Sequence, residues 1–258
     1  MVAHSAEAGQ PPDAARPLER LSKPISISGT LGGEAKPISS SRREARSRSL
    51  ALALRMPPAT QAIIGVNVVV FLLQLSLGDS ATLLFALWPL GASDVFGPEV
   101  GFAPWQLVTY GFLHGGYAHI FFNMFAIYTF GSTLEQFFGT RWYVMLYFVS
   151  VVTAGLTQLA VNELIGSPYP TLGASGGVFG LLLAFGMYFP KQRIMLLFPP
   201  IPMPAWVAVT LFGALELFLG VTGTQAGVAH FAHLGGMLGA FLMILQRRGK
   251  PPFGKRRR

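Results

Sequence analysis

Four polar side chains stand inside long apolar stretches: His119 and Asn123 in FLHGGYAHIFFNMF, Ser175 in GASGGVFG, and His233 in AHFAHLGGMLGA. Polar groups are costly in hydrocarbon, so each is a candidate for function. His119 and Asn123 are four residues apart and share one helix face, and both can donate hydrogen bonds. Ser175 falls in a first helical turn, because Pro168 and Pro170 keep the chain before it extended. Backbone N–H groups in a first turn lack internal partners, which favours negative charge developing beside the serine. A serine against an imidazole is the pairing of nucleophile and general base, here Ser175 and His233. His119, Asn123 and the Ser175 N–H could then donate to an oxyanion. No Asp or Glu is evident to orient His233, so a dyad is expected and not a triad. Phe179, one turn after Ser175, could hold the imidazole by stacking.

Each of these residues has a plainer reading. His119 and Asn123 could bind helices together, and Gly176 with Gly180 could be a small-residue packing face, as could Gly236 with Ala240. His233 could be structural. His114, His119, His230 and His233 could form a metal site, but no nearby carboxylate or cysteine completes a shell, so no metal or other cofactor is expected. Glu135, near Arg141, reads as structural, and Glu216 has no partner visible in the sequence. Chemistry gains over glue from shared depth. His119, Asn123, Ser175 and His233 all fall near the same ends of even-numbered apolar runs.

Those runs are the elements that must position the site. The chain has 258 residues, 52% hydrophobic and only 12% charged, about half the charged share of a soluble domain. This is the composition of an all-α membrane protein of several spans. Six runs are long enough to be candidate spans: roughly 60–77, 117–137, 142–163, 173–190, 203–220 and 227–246. The connection from 78 to 116 is long and carries Phe85, Trp88, Phe96, Phe102 and Trp105, so it is expected to lie partly in the membrane interface. Pro199, Pro200, Pro202 and Pro204 set a rigid break before the fifth run.

Residues 1–55, rich in Ala, Pro, Ser and Arg, are expected to form a disordered basic tail, and 247–258 a second basic tail, around a membrane domain at 56–246. An organellar targeting role for 1–55 is disfavoured by Glu7, Asp13, Glu19, Glu34 and Glu44. The net charge of +8 does not indicate nucleic acid, because the basic residues sit at the two ends. With six spans, Arg55, Arg141, Lys191, Arg193 and Arg247 share one side, and Asp79, Asp94, Glu99 and Glu163 the other. Both termini are then expected in the cytoplasm. The absence of cysteine excludes thiolate chemistry.

His119-xxx-Asn123, Gly173-x-Ser175-Gly176 and Ala232-His233-x-Gly235-Gly236, in this order and on these spans, resemble the signature of rhomboid intramembrane serine proteases. The resemblance covers about residues 56–246. It implies a six-helix bundle with a long, partly embedded first loop, a Ser175–His233 dyad, and an oxyanion site including His119 and Asn123. It also implies supporting roles for His114, Gly173, Phe179 and Gly236, and transmembrane proteins of the bilayer as substrates. A core without an extra leading helix resembles the bacterial form, hence an inner-membrane protein. Three positions depart from the common pattern: Trp105 is followed by Gln106 where Arg is frequent, Phe179 replaces a frequent Tyr, and Ala240 a frequent Gly. None removes a reacting group. A non-proteolytic relative that only binds transmembrane helices is the alternative expectation.

Overall fold

The structure, a computed structural model, describes residues 56–196, 200–223 and 228–248. The expected tail before residue 56, Pro199, residues 224–227 and the basic run from 249 lie outside the described residues.

Helix α1 (Pro58–Leu77) starts on a proline, which suits a first turn because its missing N–H would have no helical partner there. The connection that follows is ordered into α2 (Asp79–Phe85), α3 (Ser93–Phe96), α4 (Gln106–Thr109) and a 3₁₀ turn, Tyr110–Phe112. The second apolar run is one rod made of α5 (Tyr117–Ala126), a π-helical turn at Ile127–Gly131 and α6 (Ser132–Phe138). Then come α7 (Thr140–Ile165), α8 (Ser175–Tyr188), a small antiparallel pair β1 (Arg193–Met195) and β2 (Pro202–Pro204), α9 (Ala205–Thr222) and α10 (His230–Arg248). The last helix therefore runs through Arg247 and Arg248, which the sequence reading put in the tail. The Arg247 guanidinium lies 4.8 Å over Phe138 and 4.7 Å over Trp142.

Each of the six expected apolar runs holds a helix among the described residues. Three of the helices, Pro58–Leu77, Thr140–Ile165 and Ala205–Thr222, are long and apolar enough to cross a membrane unaided. Helix α8 is not. Its 14 residues span about 21 Å, short of the ~30 Å hydrocarbon core. Its lead-in is non-helical and has Thr171 and Ala174 buried, as non-helical backbone at membrane depth must be. The outer faces of the bundle are apolar and open, with Val69, Leu72, Phe121 and Phe218 exposed. These are surfaces for lipid to cover.

The packing depends on small residues. A methyl group built at Gly236 would run into the carbonyl oxygen of Gly176, and one at Gly176 into the side chain of Ala154. Gly177 and Gly180 likewise face Tyr147 and Ser150, and Gly235 and Gly239 face Thr157 and Thr153. Helices α8 and α10 thus meet each other and both rest on α7, a role for the third run that the glycine patterns alone did not indicate.

Candidate active site

Ser175 opens α8, and its position is set from behind. Leu87 and Thr171 exchange backbone hydrogen bonds at 2.9 Å in both directions, and the Gly173 N–H donates to the Tyr110 carbonyl at 2.9 Å. Tyr110 is tied to α7 by its hydroxyl, which donates to the Val151 carbonyl at 2.7 Å. The connection at 78–116 therefore holds the segment that presents the serine. Gln106 organises that connection: its Oε1 accepts from the N–H groups of Trp88 and Ala103, both at 3.2 Å, and its Nε2 donates to the Gly101 carbonyl at 3.2 Å.

His233 lies in the first turn of α10, 58 positions from Ser175, with its Nε2 2.8 Å from the serine Oγ. With the ring proton on Nδ1, the hydroxyl donates to Nε2. The Phe179 ring lies parallel to the imidazole, 4.3 Å between centroids and 5° between planes. The close approach of Gly236 to Gly176 keeps the two helices near enough for this contact.

The expectation that no carboxylate faces His233 is corrected by α9. Glu216 Oε2 is 2.9 Å from His233 Nδ1 and 2.7 Å from His230 Nδ1. The His230 contact is aligned as a hydrogen bond, whereas the His233 contact is short but off-line. All three residues are buried. Sequence reasoning found no partner for Glu216. It missed the pairing because that depends on how α9 packs against α10, which no sequence spacing sets.

His119 packs edge-on to His114, with centroids 5.1 Å apart, and its Nδ1 accepts from the Gly115 N–H at 3.3 Å. Its ring covers Gly173, where a side chain is doubly excluded. The backbone φ is +133°, and an added Cβ would come within 2.8 Å of the His119 ring. Asn123 is buried and its Nδ2 donates to the His119 carbonyl at 3.0 Å, leaving the second hydrogen of that nitrogen for another acceptor. His114 is held by Gln74 of α1, whose amide both donates to its carbonyl and accepts from its N–H, each at 3.0 Å. Burial first, and the neighbouring His119 second, push the His114 imidazole down to about 4, so it is neutral at physiological pH.

Among the described residues, one group of three side chains brings metal-ligating atoms together. The ligand atoms of Glu216, His230 and His233 lie within 4.8 Å of one another. The carboxylate that the sequence reading found missing from a histidine site is present there.

A family model described as the Rhomboid domain matches residues 102–249. The chain is 29% identical over 137 residues to "Rhomboid protease GluP" of Bacillus subtilis, covering 53% of this chain and 25% of that protein. It is 33% identical over 136 residues to "Rhomboid protein 1, mitochondrial" of Saccharomyces cerevisiae, covering 49% and 37%. It is 27% identical over 128 residues to "Rhomboid protease GlpG" of Klebsiella pneumoniae, covering 50% and 42%. The aligned part thus spans well under half the length of each of these relatives.

Proposed function

This chain belongs to the rhomboid family, and from that premise we propose that it is an intramembrane serine endopeptidase acting through Ser175 and His233. The observation that carries this reading is the 2.8 Å contact between His233 Nε2 and Ser175 Oγ, made across two helices that glycines hold together. In the mechanism, Ser175 Oγ attacks the scissile carbonyl carbon while His233 Nε2 takes the hydroxyl proton. The carbonyl oxygen becomes an oxyanion beside the Ser175 N–H, with His119 and the free Asn123 hydrogen as side-chain donors. The imidazolium then protonates the leaving amine, and water, activated by the same imidazole, hydrolyses the acyl-enzyme. Stacking on Phe179 keeps the ring plane fixed through both proton transfers.

The substrates are transmembrane proteins, cleaved where a helix is destabilised enough to present an extended backbone. The short α8 supports a site below the membrane surface, in reach of such a segment. The one-sided Lys and Arg distribution supports an orientation with both termini in the cytoplasm, and the similarity to bacterial rhomboid proteases supports a bacterial plasma membrane. Residues 56–246 carry the activity. Cleavage of a reporter transmembrane protein tests the reading: Ser175→Ala must abolish it while the variant still inserts. Cleavage by that variant at the wild-type rate would remove Ser175 from the mechanism.

A further inference from the structure

We infer that Glu216 is a positioning residue for the proposed base, a carboxylate that holds His233 with its proton on Nδ1, and that His230 fixes that carboxylate. The inference rests on the reading of Ser175 and His233 as nucleophile and base. Three elements converge on one imidazole. Ser175 of α8 meets Nε2 at 2.8 Å, Phe179 of the same helix covers the ring face, and Glu216 of α9 meets Nδ1 at 2.9 Å. An imidazole whose Nε2 is to accept a proton must carry its own proton on Nδ1, and a carboxylate there selects that tautomer. When the serine proton arrives at Nε2, the positive charge forms within 2.9 Å of the Glu216 oxygen. Nδ1 keeps its proton throughout, so no proton passes to the glutamate.

The surroundings of Glu216 fit this role. Leu215, Leu217 and Phe218 beside it are exposed, while Glu216 itself is buried and turned to α10. His230 and His233 share one face of α10, three residues apart. The same oxygen reaches both Nδ1 atoms, and the aligned bond from His230 at 2.7 Å leaves it fixed as an acceptor for His233. The off-line approach to His233 suits a free enzyme, in which such bonds often tighten only once substrate is bound. A metal ion fits less well. Two ligands on tetrahedral zinc stand roughly 3.3 Å apart, more than the 2.7 and 2.9 Å here.

The test compares full-length wild type, Glu216→Gln, Glu216→Asp and Ser175→Ala in proteoliposomes with one reporter substrate. Glu216→Gln is expected to lower kcat about a hundredfold with KM within about twofold, and to slow fluorophosphonate labelling of Ser175 in parallel. Glu216→Asp, which keeps the charge, is expected to lose less. Thermal unfolding of the Gln variant should stay near wild type. Wild-type kcat in Glu216→Gln overturns the inference, as does a loss confined to KM or equal in the Gln and Asp variants. Stoichiometric zinc in wild type, absent from Glu216→Gln, also overturns it by making the trio a metal site. Cleavage by Ser175→Ala would instead fault the nucleophile assignment and is read separately.

Discussion

The bundle buries two glutamates in apolar helices, and their partners differ in kind. Glu135, at the end of the second rod away from Ser175, accepts from the N–H groups of Ala59 and Thr60 at 3.0 and 2.8 Å. It also accepts from the Thr60 and Thr140 hydroxyls, both at 2.8 Å. These donors hold their protons at any physiological pH. The carboxylate ties the free first-turn N–H groups of α1 to the α6–α7 corner. Glu216 instead faces the Nδ1 atoms of two imidazoles, one of them on the ring whose Nε2 meets Ser175 Oγ. Burial is the same at both ends, so burial does not separate a fastening from a working group. What the partners touch in turn does: backbone and hydroxyl donors at Glu135, the imidazole against Ser175 at Glu216.

That contrast can be broken by experiment. The largest expected effect is at Gly236, whose side chain would meet the Gly176 carbonyl. Gly236→Val should push α10 off α8 and lower reporter cleavage by about two orders of magnitude or more. Wild-type turnover in that variant would detach catalysis from helix closeness. Next is Glu135→Ala, which strands two backbone N–H groups and two hydroxyls. It should cost about 3 kcal/mol of stability in detergent unfolding and leave cleavage per folded molecule close to wild type. If cleavage per folded molecule fell as far as in Glu216→Gln, the two glutamates would not differ in kind. Phe179→Leu removes the stacked ring and should reduce kcat about tenfold, measured in the same assay with KM nearly constant. The smallest change is Thr140→Val. It removes one of the donors to Glu135 and should lower stability by about 1 kcal/mol with no kinetic effect.

Much of this architecture was legible in the sequence. Apolar runs bounded by Gly and Pro marked the helices, and Gly176, Gly236 and their neighbours marked the close faces. What escaped was everything set by the level of one element against another. The sequence placed Glu135 near Arg141, but three of its hydrogen bonds come from residues 59 and 60, brought there by the packing of α1, and the fourth from Thr140. Glu216 faces His230 and His233 only because α9 packs beside the start of α10. The bonds from Leu87 to Thr171 and from Tyr110 to Gly173 cross more than sixty residues and have no periodic signal. They are why an aromatic-rich connection is so ordered: it holds the segment in front of Ser175. The departure at Gln106 became readable only in the structure, where its amide collects three neighbours of the connection.

The most direct measurement is to label the protein in liposomes with a fluorophosphonate and identify the modified residue by mass spectrometry. The account predicts one adduct, on Ser175, lost in His233→Ala although that variant folds and inserts. An adduct on another serine, or labelling of Ser175 that is indifferent to His233, would contradict it.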